Sequence, residues 1–308
     1  MELKLNHVLE SQQFKVPRIM ELFERTQAMK KIVARGGTLD YQNKILASLF
    51  YAPSTRTRFS FESAMYRLGG KVLSTEHARE FSSEIKDENL EDTIRIIGNY
   101  CDAIVLRHHE AGGAARAARN SLVPIINAGD GTGGQHPTQA LLDLYTIHNE
   151  CQTIDGLSVA FIGALDNGRT ARSLAYLLSK FDRVKLHFIA PDELQMKPDI
   201  LEHLDENGIS YELSNSTKGL ASKVDVLYIT RLDRERLISK HVDLEQYNVG
   251  ASLLKKLRKD AVILHPLPRS VEISSEVDMD SRAAYFRQAQ NGLYVRMALL
   301  TMLFDENN

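Results

Sequence analysis

Cysteine is scarce in this chain. Only Cys101 and Cys151 occur among 308 residues, far apart and outside any CxxC or Cys/His spacing. That pattern excludes a disulfide framework and a zinc-ribbon type of site, and it fits a reducing compartment. Long hydrophobic runs are lacking too, since no apolar stretch approaches the ~20 residues that a membrane span needs. An excess of one charge is missing: 38 basic residues stand against 40 acidic ones, a formal net charge of −2. Bulk electrostatics therefore point to neither nucleic acid nor a membrane surface, and any anion site must come from local placement of arginines. The stretch from Met1 to Gln13 has neither a basic-then-apolar signal nor an Arg/Ser-rich transit composition, so the expectation is a cytoplasmic, soluble chain. Repeats at a fixed period and low-complexity tracts are absent, and so is the P-loop pattern G-x-x-x-x-G-K-[ST], because Gly163 to Gly168 continues with Arg169.

Short apolar runs alternate with amphipathic segments throughout. Strands are expected at Ile45–Tyr51, Lys71–Ser74, Ala103–Leu106 and Val123–Asn127. A second series follows at Leu157–Ile162, Val184–Ala190, Ile209–Leu213, Val224–Thr230 and Ala261–His265. Helical spacing lies between them, at Ser60–Leu68, Leu90–Tyr100, Thr138–His148, Thr170–Ser179 and Leu253–Arg258. Many strand runs are apolar without alternation, as in parallel sheets covered on both faces. The chain reads as α/β: two doubly wound domains with mainly parallel sheets, linked by long helices. The first domain spans 1–150 and the second 151–283, and a final helix in 284–308, apolar on one face, is expected to pack back on the first.

Chemistry-bearing residues gather at the expected strand ends, where open α/β sheets place ligands. After Ile45–Tyr51 comes Ser54-Thr55-Arg56-Thr57-Arg58, with hydroxyls and guanidinium groups crowding the first turn of a helix. Unpaired backbone N–H groups and the helix dipole favour an anion there, and an arginine adds a planar fork for two phosphate or carboxylate oxygens. The ordinary reading of such a stretch is an N-cap followed by solvated arginines. Strand–turn–helix context and the other strand ends favour a phosphate cradle instead. Arg107-His108-His109 ends the third strand, Thr230-Arg231 the Val224 strand, and His265-Pro266-Leu267-Pro268-Arg269 the last. Arg107, Arg169 and Arg231, with Arg56, suggest a pocket for several anionic groups.

Gly129 to Gly134 satisfies G-x-G-x-x-G after a strand, but no acidic residue ends the next strand, so dinucleotide binding is disfavoured. His136 lies between that loop and Pro137 at a helix start. Its ordinary role there is to bond backbone; its functional role is to aim a donor at a developing oxyanion, with the helix end favouring neutral imidazole. His265 reads as structural.

Taken together, Ser54-Thr55-Arg56-Thr57-Arg58, Arg107-His108, Asn127 to Gly131, Gln135-His136-Pro137-Thr138-Gln139, Gly168-Arg169-Thr170, His265 to Arg269 and Tyr285-Phe286-Arg287-Gln288-Ala289 resemble the aspartate/ornithine carbamoyltransferase family. The resemblance runs from about Phe50 to Leu300. Pro266-Leu267-Pro268, where ornithine enzymes carry Cys-Leu-Pro, favours the aspartate branch. It implies carbamoyl transfer from carbamoyl phosphate to the α-amino group of L-aspartate, without metal or cofactor. It further implies a homotrimer with shared active sites and leaves regulatory chains open as partners. By position, Ser54, Thr55, Arg56 and Thr57 would hold phosphate, while Arg107, His136 and Gln139 would address the carbamoyl group. Carbonyls around Pro266 and Leu267 would accept from its amide, and Arg169 and Arg231 would hold the two carboxylates of aspartate. Ser82 and Lys86 would reach a neighbouring subunit's site.

Three positions depart from the family's pattern: Ala164 stands for the usual Asp, Asp233 for Gln, and Asp87 for Gly. A carboxylate at Asp233 would repel aspartate, and Asp87 would draw Lys86 away from phosphate. The expectation is retained carbamoyl phosphate binding with weakened or redirected aspartate use. The alternatives are a carbamoyltransferase for another amine acceptor and a catalytically impaired homologue acting as an assembly partner.

Overall fold

The computed structural model describes residues 4–76, 89–232, 237 and 244–307. Two compact units are present. One comprises residues 1–138 and 291–308, the other 139–290. Each has its own parallel sheet.

The first unit contains β1 (Ile45–Phe50), β2 (Lys71–Glu76), β3 (Ala103–Arg107) and β4 (Ile125–Asn127), in the order β2-β1-β3-β4. Every pairing is parallel. The helices α1 (Val16–Ala34), α2 (Thr55–Arg67), α3 (Leu90–Ile97) and α4 (Gly113–Asn120) belong to it. β1 and β3 are buried almost throughout because helices cover both faces, which explains their unbroken apolar runs. Ala47, Leu49, Ile104, Leu106 and Ile125 from the strands pack with Leu90 and Ile94 of α3 and Ala114 and Ala117 of α4. β2 is the exposed edge.

The second unit contains β5 (Ser158–Ile162), β6 (Lys185–Ile189), β7 (Ser210–Ser214), β8 (Val226–Ile229) and β9 (Val262–Leu264), ordered β7-β6-β5-β8-β9 and again all parallel. Its short helices are α6 (Arg169–Leu178), α7 (Pro198–Glu206) and α8 (Ala251–Leu254). Two longer helices, α5 (Pro137–Cys151) and α9 (Tyr285–Glu306), run through the points where the units divide. The division therefore falls inside helices, at 138/139 and 290/291, whereas the composition shifts near 150. No linker marks it, because each helix continues unbroken through the boundary.

The nine strands match those expected from the apolar runs, with ends displaced by up to two residues. Three helices have no counterpart in the sequence reading: α1, α4 and α7. The stripe Ile19, Leu22, Phe23, Thr26 and Met29 on α1 is buried. Beside it Arg18, in the first turn, pairs with Glu306 at 2.6 Å and Arg25, mid-helix, with Asp305 at 2.7 Å, joining α1 to the last turn of α9. The expected helix Leu253–Arg258 is in fact α8, one turn long and beginning two residues earlier. Among the described residues no helix is long and apolar enough to cross a membrane.

Candidate functional site

A sheet whose strand order reverses leaves a crevice beyond the carboxyl ends of the two strands at the reversal. In the first unit those strands are β1 and β3; in the second they are β5 and β8. Of the expected residues, Ser54 to Thr57 and Arg107 follow β1 and β3, and Arg169 and Arg231 follow β5 and β8; His136 and Gln139 lie at the start of α5, and Pro266 and Leu267 follow β9.

At the first, β1 runs into Tyr51, whose N–H donates to the Arg107 carbonyl at 2.9 Å. Phe50 and Arg107 are register partners, so the tip of α2 rises beside the end of β3. Ser54 is the N-cap residue of α2, but its side chain makes no capping bond, and its carbonyl accepts from Arg58 N–H at 3.1 Å. The first-turn hydroxyls are thus not consumed by capping. Thr57 is buried, whereas Thr55 and Arg56 are exposed. Partial desolvation lowers the pKa of the Arg56 guanidinium, which remains a cation.

Arg107 donates from Nη1 to the Ala128 carbonyl at 3.0 Å. Gly129 follows with φ of +116°, and its amide donates to Asn127 Oδ1 at 2.8 Å. A Cβ there would stand 2.6 Å from Arg107 Nη1 and 3.3 Å from His136 Cδ2. Arg107 and His136 therefore share one glycine as their floor. His136 is buried and immediately precedes α5.

The other glycines of this loop also have packing reasons. A Cβ on Gly131 would lie 2.1 Å from the His109 carbonyl oxygen, and one on Gly134 would lie 2.6 Å from Asp130 Cβ. Asp130 accepts from Gly112 and Ala114 N–H, capping α4. His108 is walled in. Its ring stacks on His109 at 4.4 Å, and burial followed by the neighbouring His109 pushes its pKa down to about 4.

In the second unit Arg169 is the first residue of α6 after β5, and Arg231 follows β8. The two strand ends are knitted by backbone. Ala164 N–H donates to the Arg231 carbonyl at 3.3 Å, and Thr230 Oγ1 donates to the Ala164 carbonyl at 3.4 Å. A Cβ on Gly163 would meet the Thr230 carbonyl oxygen at 2.3 Å, so only glycine permits this approach. Ala164, the first departure from the family pattern, is buried and serves through its main chain. Asp166 accepts from Asn167 Nδ2 at 2.6 Å.

The segment after β9 is set by a buried pair. His265 Nε2 donates to Glu272 Oε1 at 2.8 Å, and its Nδ1 accepts the Leu267 N–H at 2.8 Å. That second bond fixes the tautomer. Burial opposes ionisation of Glu272, yet bonds from His265 and the Ser270 amide hold its carboxyl below the ordinary range. Leu267 consequently keeps φ of +52°, an unusual conformation for a branched residue. Arg269 turns instead to Asp278 and to the Tyr285 hydroxyl, 3.0 Å away, and its guanidinium lies over the Tyr285 ring.

Gln139 donates from Nε2 to Asp143 Oδ1 at 2.7 Å. Sequence reasoning named Gln288 only within the motif Tyr285 to Ala289 and did not single out Asp143, Tyr228 or Glu272. A signal existed for Asp143: it interrupts the apolar run Leu141-Leu142-Asp143-Leu144-Tyr145, one helical turn beyond Gln139. Ser82, Lys86 and Asp233, with Asp87, lie outside the described residues. Among those described, no group of three or more His, Cys, Asp or Glu could hold a metal ion.

Two parallel α/β units, each with arginine at its switch point and one with a hydroxyl-rich helix tip beside it, define a transferase class that handles small anionic substrates. The chain belongs to the aspartate/ornithine carbamoyltransferase family. Residues 6–149 match that family's carbamoyl-P binding domain and residues 155–303 its Asp/Orn binding domain. The chain is 51% identical to the chloroplastic aspartate carbamoyltransferase of Oryza sativa subsp. japonica, over 98% of this chain and 85% of that one. It is 46% identical to the aspartate carbamoyltransferase catalytic subunit of Methanopyrus kandleri, over 96% of each. Among solved structures, aspartate transcarbamoylase from Trypanosoma cruzi in complex with carbamoyl phosphate and aspartate superposes with a TM-score of 0.92 at 38% identity, covering 98% of this chain and 96% of that one. These relatives correct one expectation. A cytoplasmic location does not stand, since the plant relatives are named chloroplastic.

Proposed function

We infer that the protein transfers the carbamoyl group of carbamoyl phosphate to the α-amino group of L-aspartate, giving N-carbamoyl-L-aspartate and phosphate, a step of pyrimidine biosynthesis. The observation that carries this reading is the joint seat of Arg107 and His136 on Gly129, beside the tip of α2. Carbamoyl transfer needs fixed donors at one carbonyl oxygen and a separate cradle for the departing phosphate. Both requirements suit the groups gathered at the carboxyl ends of β1 and β3.

In the reaction the aspartate amine attacks the carbamoyl carbon, and negative charge grows on the carbonyl oxygen. His136 and Arg107 donate to that oxygen; preorganised donors of this kind are worth ~10²–10³ each in rate. Ser54, Thr55, Arg56 and Thr57, with the first-turn N–H groups of α2, receive the phosphate. The phosphate leaves as the carbon–oxygen bond breaks and takes the proton lost by the amine, so no separate base is required. Arg169 and Arg231 hold the carboxylates of aspartate, and carbonyls at Pro266 and Leu267 accept from the carbamoyl amide along with Gln139. Holding two small reactants face to face supplies a further large share of the acceleration.

Assembly belongs to the same proposal. The exposed face of α2 carries Phe59 and Tyr66, 55% and 61% exposed, and the edge strand β2 carries Leu73, 47% exposed. An apolar face of that kind supports burial against a second copy, as expected for a homotrimer in which Ser82 and Lys86 complete a neighbour's site. The deciding experiment is a colorimetric assay for the ureido product with carbamoyl phosphate and a panel of amino acids. Product from aspartate alone supports the reading; product from other amines but not aspartate overturns it.

A further inference from the structure

Asp143 lies wholly buried on α5 and gathers three donors. Gln139 Nε2 and Gln288 Nε2 both donate to its Oδ1, at 2.7 and 2.6 Å, and the Tyr228 hydroxyl donates to Oδ2 at 2.7 Å. Each donor leads towards a segment named above. Tyr228 sits on β8, three residues before Arg231, and its hydroxyl also bonds the side chain of Thr170, the neighbour of Arg169. Gln288 Oε1 accepts the His265 N–H at 2.9 Å, at the start of the Pro266–Leu267 turn.

The chemistry of the hub decides how both glutamines face. A primary amide has a donor end and an acceptor end of nearly equal shape, and it turns over easily unless a partner distinguishes them. A carboxylate only accepts. Gln139 and Gln288 must therefore give Asp143 their NH₂ groups and turn their carbonyl oxygens away. For Gln288 that oxygen meets the His265 amide. For Gln139 it is left as a fixed acceptor.

We propose that Asp143 is a positioning residue that locks the Gln139 amide with its carbonyl oxygen outward, so that the site selects the amide end of the carbamoyl group. This rests on the reading of Gln139 as a residue that addresses the carbamoyl group. A carbamoyl NH₂ donates to such an oxygen, whereas the methyl group of an acetyl phosphate cannot. With Gln139 free to turn, its own NH₂ would confront the substrate's, and two donors facing each other lose the bond and leave both unsatisfied.

The test compares carbamoyl phosphate with acetyl phosphate as donors to aspartate. Transfer from acetyl phosphate forms the N-acetyl amide and releases phosphate, so atoms balance in the same way. Asp143→Ala should lower kcat/KM for carbamoyl phosphate on the order of tenfold while lowering that for acetyl phosphate less than about threefold. Asp143→Asn, whose Oδ1 still accepts from both glutamines while its NH₂ turns to Tyr228, should restore most of the preference. Equal losses with the two donors would mean that Asp143 merely stabilises the fold, and the proposal falls. Should the alanine variant not fold, Asp143→Leu, which fills the volume but accepts no hydrogen bond, is read instead: it must penalise carbamoyl transfer more than acetyl transfer, and equal penalties overturn the idea. Failure of the wild-type protein to carbamoylate aspartate would strike the functional reading itself, whereas wild-type activity with an unchanged donor ratio in Asp143→Ala strikes this inference alone.

Discussion

Arg107 Nη1 lies where a methyl group on residue 129 would have to be, 2.6 Å from the Cβ position that Gly129 leaves empty. His136 closes on the same spot from the start of α5. The site thus has a steric centre as well as an electrostatic one, and the backbone there is already at φ of +116°.

Gly129→Ala should therefore displace the guanidinium or the imidazole, and kcat should fall by ~10² or more, the scale on which loss of one oxyanion donor acts. Backbone strain adds about 1–2 kcal/mol of destabilisation. Steady-state kinetics beside thermal melts separate the two. Retention of full kcat would show that neither donor depends on this seat.

The buried His265–Glu272 pair carries a second expectation. Glu272→Ala strands the His265 Nε2–H in the interior, at a cost of about 1–3 kcal/mol, and frees the ring to turn and release Leu267 N–H. KM for carbamoyl phosphate should rise severalfold. Glu272→Gln keeps an acceptor and should stay close to wild type. If both variants behave alike, charge rather than geometry holds the turn.

His108 gives a pH prediction. Its pKa in the folded state is lowered from 6.5 to about 4, so the unfolded chain binds the proton more readily. Stability from keeping this ring neutral is full above pH 6.5 and is lost as pH falls towards 4, amounting to roughly 2–3 kcal/mol across that window. Urea unfolding at pH 7 and pH 4.5 should show a smaller acid loss in His108→Gln than in wild type. Identical losses would mean that other groups dominate.

Shared active sites can be tested by hybrid formation. Arg56→Ala and Lys86→Ala subunits, each inactive alone, should regain part of the wild-type rate when mixed and allowed to exchange. Mass measurement of the mixed assembly confirms exchange. No recovery in confirmed hybrids would indicate that each subunit is self-sufficient.

Much of this architecture was legible because parallel strands are buried on both faces and so announce themselves as apolar runs. Ile45–Phe50 and Ser158–Ile162 are such runs, and the loops after them carry Ser54 to Thr57 and Arg169, residues of the proposed site. Helices were harder. α4, Gly113-Ala114-Ala115-Arg116-Ala117-Ala118-Arg119-Asn120, packs through small residues that leave little hydrophobic stripe, and its cap comes from Asp130, distant in sequence. Asp143 was illegible for a related reason. Its partners Tyr228 and Gln288 lie 85 and 145 positions away, so nothing local reveals that the carboxylate is satisfied.

The bond from Ala164 N–H to the Arg231 carbonyl has a corollary. Main-chain tethers ask nothing of the side chain that carries them. The anchorage of the Arg231 backbone therefore does not depend on which side chain stands at position 164.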